Sequence, residues 1–198
     1  FSDGGVHASF EHLLAFIDLA KKEGIRKVFV HAFMDGRDTD PKSGLGFVKR
    51  LEEKLSAPGE RAVLASMIGR YYAMDRDKRW ERIEEAYDLL VHGKGTPSQD
   101  FVKAVEDSYA AGITDEFMKP VVKTDASGRP IGRIENGDAV VFLNFRNDRA
   151  RELTSVLTQA PQGNMKPLSL WFATMTPYDA TFEGLHVLFD KENVVNPI

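Results

Sequence analysis

An α/β fold, built on a largely parallel sheet flanked by helices on both faces in three layers, is what the order of apolar runs in this 198-residue chain predicts. Three observations carry that expectation. Short β-branched runs alternate with stretches of helical period, the strongest runs stop abruptly at polar loops, and no Pro/Gly/Ser-rich linker divides the chain. A single domain over residues 1–198 is therefore expected.

In chain order, Ser2-Asp3-Gly4-Gly5-Val6-His7 has the composition of a strand-to-helix loop. Phe10, Leu13, Leu14, Ile17 and Ala20 then recur at helical spacing until Gly24. Val28 to Phe33 reads as a buried strand ending at Asp35-Gly36-Arg37-Asp38, and Phe47, Val48, Leu51 and Leu55 mark the helix over 46–55. After Pro58-Gly59 the unit is echoed without a residue-level repeat: strand Ala62 to Ile68, a loop with Arg70 and Arg76, then a helix bearing Trp80, Ile83, Tyr87 and Leu90. Ser98 is a candidate N-cap for a helix through Ala110. Between Pro120 and Asp138 the text suggests a hairpin-like excursion or short strands. Ala139 to Phe145 and Ser169 to Thr174 are further strands, with a helix toward Leu157 between them. Leu185 to Leu188 reads as a last short strand, and Glu192 to Ile198 as a tail.

A net charge of −4 argues against a general nucleic-acid binder, which needs a basic face to neutralise phosphates. Absence of cysteine removes disulfides, thiol nucleophiles and thiolate metal sites, and fits a cytoplasmic protein. No run approaches the roughly 18 apolar residues of a membrane span. The first residue is Phe1 rather than Met, so the chain reads as a piece of something longer.

Three strand ends deliver arginines: Arg37 after the first, Arg70 and Arg76 after the second, Arg146 and Arg149 after the third. Guanidinium forks bind carboxylate and phosphate through paired N–H groups, so several on one rim suit a small, multiply charged anion. In open α/β sheets that rim, beyond the carboxyl ends of the strands, is where ligands collect. The competing reading is ordinary pairing with Asp35, Asp38, Asp75, Asp77 and Asp148. Asp38, flanked by arginines, can act as base and then acid toward a substrate hydroxyl, or simply brace its loop. His7 is either a phosphate donor or a loop imidazole; His12 and His31 are read as structural. Asp35 and Asp38 also invite comparison with the magnesium-binding aspartate pair of haloacid-dehalogenase-like phosphotransferases, though those are two apart and these three. Ser43-Gly44-Leu45-Gly46 lacks the lysine of a Walker loop.

Taken together, SDGGVH (2–7), HAFMDGRDTDPKSGLG (31–46), GRYYAMDRDKRWER (69–82), GITDEF (112–117) and NFRNDRAR (144–151) resemble cofactor-independent phosphoglycerate mutase. The resemblance implies a two-domain enzyme of glycolysis and gluconeogenesis, monomeric at full length. An alkaline-phosphatase-like domain there carries a nucleophilic serine and two metal ions, usually manganese; an inserted domain holds the glycerate. This chain resembles the inserted domain alone, without a cofactor of its own. The resemblance further implies that His7, Arg37, Asp38, Arg70, Arg76, Arg146 and Arg149 bind 3-phosphoglycerate and 2-phosphoglycerate, with Asp38 the acid/base. The chain departs from the family pattern at Ala8-Ser9, where a polar pair is common, and at Asn147. Two other readings compete: a self-sufficient magnesium-dependent phosphatase using Asp35 or Asp38, and a non-catalytic anion-binding module.

Overall fold

A computed structural model describes residues 1–190 of the chain. The tail expected over 192–198 lies outside the described residues. Helix α1 (Phe10–Lys22) leads to β1 (Val28–Met34), α2 (Gly44–Leu55) and β2 (Ala62–Gly69). A four-residue helix α3 (Arg70–Ala73) follows without a break, and then α4 (Trp80–Tyr87), which runs into a π turn at Asp88–His92. The remaining elements are β3 (Thr96–Ser98), α5 (Phe101–Ala110), a 3-10 turn at Asp115–Phe117, β4 (Val121–Lys123), β5 (Ala139–Phe142), α6 (Arg151–Thr158), β6 (Trp171–Thr174) and β7 (Leu185–Val187).

The α/β class and the preference for parallel pairing match the sequence expectation, but the strands divide between two sheets. One has the order β1-β2-β4-β3, with only β2–β4 antiparallel; the other, β5-β6-β7, is parallel throughout. The excursion after Pro120 supplies β4, and an isolated bridge between Thr124 and Pro130 closes its hairpin-like end. Ser98 does not cap a helix. It lies in β3, and Asp100 caps α5 by accepting the Lys103 N–H at 2.9 Å.

Two apolar cores cover opposite faces of the first sheet. Val30, Ala32 and Met34, alternate residues of β1, pack with Phe10 and Ile17 of α1, Val48 and Leu51 of α2, and Phe101 and Val105 of α5. Phe33, on the other face of β1, packs in a second core with Ile83 and Ala86 of α4, Leu153 and Val156 of α6, and Phe172 of β6. Helices therefore lie on both sides, as the three-layer expectation requires. Each large buried aliphatic side chain contributes about 1.5–3 kcal/mol to this arrangement.

Strands β1 and β5 are edge strands of their sheets. Between them runs an apolar trough of about 930 Å³, bordered by Phe16, Phe29, His31, Val140 and Phe142. The Phe33 and Phe142 rings meet edge to face across it, with centroids 5.8 Å apart. The terminal amine of Phe1 donates to the Phe33 carbonyl at one end of the trough.

Candidate functional site

Beyond the carboxyl end of β1 the loop is organised by Asp35. Its Oδ1 accepts the backbone N–H groups of Arg37 (3.3 Å) and Asp38 (3.1 Å), and its Oδ2 accepts the Ser2 hydroxyl at 2.6 Å. Gly36 makes the turn at φ 65°, a left-handed conformation with no room for a side chain, since a Cβ there would lie 2.7 Å from that of Asp115. The second rim loop is built alike. Asp75 Oδ2 accepts the N–H groups of Asp77 and Arg79, both at 2.9 Å, and Lys78, at φ 60°, donates its N–H to Glu152 at 2.8 Å.

Arg70, the first residue of α3 and only 4% exposed, joins these parts. One terminal nitrogen donates to Asp35 Oδ1 at 2.7 Å and also to Asp38 Oδ2; the other donates to His7 Nε2 at 3.1 Å. Burial, followed by the charge of Arg70, holds the His7 pKa down to about 4, so the imidazole is neutral and accepts at Nε2. That bond assigns its proton to Nδ1, which lies 3.9 Å from Asp148 Oδ1. Burial alone would raise the carboxyl pKa of Asp35. The Ser2 hydroxyl, the Asp38 amide and Arg70 outweigh it and hold the group at about 2.

A pocket of about 260 Å³ opens beside this network, lined by six arginines, Arg37, Arg70, Arg76, Arg79, Arg82 and Arg149, with Tyr71 and the carboxylates of Asp75, Asp77 and Glu116. Its arginines are unequally satisfied. Asp148 accepts from Arg76 (2.7 Å) and from two nitrogens of Arg146 (2.9 and 3.0 Å). Arg37 is more than half exposed and reaches Glu116 at only 3.5 Å. Arg149 donates to the Met74 carbonyl at 3.0 Å rather than to a carboxylate. Burial, then the charges of Arg76, Arg70 and Arg37, lowers its pKa. A partly desolvated cation pressed by three others has the electrostatic environment of an anion site.

His7, Arg37, Asp38, Arg70, Arg76 and Arg149 thus share one rim, and Arg146 reaches it through Asp148. Asp115, Glu116, Arg79 and Arg82 were not singled out from the sequence, although all lie in the GITDEF and GRYYAMDRDKRWER stretches. Their residue types carry no signal until tertiary contacts are known. For the metals that the resemblance implies, the described residues contain no group of three His, Cys, Asp or Glu able to hold an ion. Asp35 and Asp38 cannot serve as a ready-made pair, because Arg70 lies between them. No helix among the described residues is long and apolar enough to cross a membrane.

Comparison with known proteins identifies the family. Residues 1–180 match the family model described as BPG-independent PGAM N-terminus. The chain is 60% identical over 200 residues to the 2,3-bisphosphoglycerate-independent phosphoglycerate mutase of Parabacteroides distasonis, covering all of this chain and 39% of that protein. The Bacteroides fragilis enzyme of the same name is 56% identical over 200 residues, again covering all of this chain but 38% of the relative. A crystal structure of Leishmania mexicana phosphoglycerate mutase at low cobalt concentration superposes with a TM-score of 0.84 at 32% identity, over 90% of this chain and 34% of that one. The chain thus spans about two fifths of the length of the curated relatives it matches. Family model and relatives agree that the chain belongs to the N-terminal domain family of BPG-independent phosphoglycerate mutases.

Proposed function

We propose that this chain is the glycerate-holding, inserted domain of a cytoplasmic, cofactor-independent phosphoglycerate mutase that interconverts 3-phosphoglycerate and 2-phosphoglycerate in glycolysis and gluconeogenesis. The observation that carries the proposal is the arginine pocket beside the His7–Arg70–Asp38 network, where among the described residues Arg149 donates to a backbone carbonyl and Arg37 makes only the long contact to Glu116. Arg37, Arg76 and Arg149 bind the carboxylate and phosphate oxygens through charge-assisted N–H bonds. Arg146 acts on the same ligand from the rim, once Asp148 shares it. Asp38, held by Arg70 next to the pocket, acts as base and then as acid, taking a proton from one hydroxyl of the glycerate and returning it to the other oxygen. His7, neutral and donating at Nδ1, orients the glycerate.

The phosphoryl group itself is carried between the two oxygens by a serine of an alkaline-phosphatase-like domain that lies outside this chain. The arginines keep the glycerate in place meanwhile, a positioning role worth several kcal/mol of barrier. Manganese, where the resemblance implies it, belongs to that other domain. The phosphatase reading needs a metal between Asp35 and Asp38, where Arg70 stands, and is the weaker one.

Titration of the chain with 3-phosphoglycerate, followed through the arginine side-chain NMR signals, tests the proposal. Arg37, Arg76 and Arg149 are expected to shift together. Unperturbed arginines at millimolar ligand would refute it.

A further inference from the structure

The Asp115–Phe117 turn makes one polar contact with the arginine pocket, through Glu116 and Arg37, yet it touches both the loop that carries Arg37 and Asp38 and the helix that begins at Arg70. Asp115 is 0% exposed, an expensive place for a carboxylate unless its oxygens are satisfied. Its Oδ2 accepts the Gly44 N–H at 2.8 Å, its Oδ1 accepts the Tyr109 hydroxyl, and its own N–H donates to the Pro41 carbonyl at 3.0 Å. The end of the rim loop that enters α2 is therefore fastened to one residue at two points. The start of the loop is pressed against it as well, since a Cβ on Gly36 would come within 2.7 Å of the Asp115 Cβ and 3.0 Å of the Glu116 nitrogen.

The same turn abuts the start of α3. A Cβ on Gly69, the residue before Arg70, would lie 2.2 Å from the Glu116 carbonyl oxygen, and the Gly69 N–H donates to the Met118 carbonyl at 2.8 Å. Phe117 packs on Tyr71, the residue after Arg70, with ring centroids 5.1 Å apart. Glu116 in turn supplies the long 3.5 Å contact to Arg37. One short turn thus spaces the loop carrying Arg37 and Asp38 from the helix carrying Arg70.

We infer that Asp115 is a positioning residue that sets the separation of Asp38 and Arg37 from Arg70, and that Glu116 is a releasable counter-ion that holds Arg37 at the pocket mouth until an anion takes its place. The inference rests on the proposed anion site. Glu116 is chemically suited to release, because a single long bond to a half-exposed guanidinium is weak, whereas the bidentate contact an incoming carboxylate or phosphate offers is stronger. Asp115 is suited to a fixed role, because its accepting oxygens are buried and each is bonded. Burial pushes its carboxyl pKa up, opposed by Tyr109 and Gly44.

Binding of 3-phosphoglycerate and the ligand-free NMR signals of Arg37 and Asp38 together test this in the intact 198-residue chain. Asp115→Asn keeps the shape but spoils the paired acceptance from Tyr109 and Gly44. It is expected to weaken binding about tenfold and to move the backbone amides of Arg37 and Asp38 before any ligand is added. Tyr109→Phe removes one bond to the same carboxylate but leaves the Gly44 and Pro41 ties, so it should lower thermal stability with affinity within twofold. Glu116→Gln, which keeps the shape of a side chain only 17% exposed, should tighten binding about threefold by freeing Arg37. Equal loss of affinity in Asp115→Asn and Tyr109→Phe would reduce Asp115 to ordinary packing and overturn its role. Unchanged or weaker binding in Glu116→Gln would overturn the release. If the parent chain fails to bind 3-phosphoglycerate, the proposed function fails on its own. The ligand-free amide shifts and the mobility of the Arg37 side chain in Glu116→Gln then still decide the positioning claim.

Discussion

Two concavities of this molecule make an instructive pair. The apolar trough between β1 and β5 is more than three times the volume of the arginine pocket, about 930 against about 260 Å³, yet most of its lining is apolar, and the network of His7, Asp35 and Arg70 closes it at one end. The smaller pocket lies on the other side of Arg70 and holds the perturbed cation, Arg149. Size marks where two sheet edges fail to meet. Crowded guanidinium groups gather instead at the strand ends, on the carboxyl rim where ligands of open α/β sheets collect.

Four perturbations would break or sharpen that contrast. Arg70→Ala should be the most damaging, about 3–5 kcal/mol of stability, because it strands Asp35 and Asp38 without their common donor. Its denaturation midpoint measures this, and a loss under 1 kcal/mol would show the two carboxylates to be better solvated than they look. Acidification comes next. His7 is harder to protonate in the folded chain than in the unfolded one. Its contribution is therefore complete above pH ~6.5, the ordinary histidine pKa, and is lost as pH falls toward 4. The loss is on the order of 3 kcal/mol over that window, and His7→Gln should flatten it in a stability-against-pH series.

Arg149→Ala should separate binding from stability. Affinity for 3-phosphoglycerate falls about tenfold, the worth of roughly one charge-assisted contact. Unfolding free energy stays within about 0.5 kcal/mol, because removing one of several crowded cations relieves repulsion. Phe29→Ser on the trough wall should have the smallest effect, under about 1 kcal/mol for a side chain already partly exposed, with anion affinity unchanged. A trough substitution that altered anion binding as strongly as Arg149→Ala would erase the distinction between the two cavities.

Much of the rim was legible in the sequence because its signals are local. A β-branched run ending in Asp-Gly-Arg-Asp announces a strand and its loop together, and β1 and β2 appear within a residue or so of where the runs place them. What depended on pairing was not legible. Ser98 and Asp100 are equally good cap residues, and only the ladder between β3 and β4 takes Ser98 into a strand and leaves the cap to Asp100. Asp148 could be foreseen as an arginine partner, but not as the one carboxylate shared by Arg76 and Arg146 from separate loops. Asp115 and Glu116 stand in the GITDEF stretch, but nothing in it foretold their contacts with the rim loop, since Gly44 and Arg37 are more than seventy residues away.

Asp148 has a consequence for how tightly any guest can be held. The pocket without a ligand is not a set of bare cations, because this side chain already receives hydrogen bonds from Arg76 and Arg146. Association is then a swap rather than a capture, in which a visiting carboxylate gains only the difference between its own bonds and the ones it displaces. Weak holding of this kind suits a donor–acceptor relay, where the cargo must turn over within the pocket instead of settling in it.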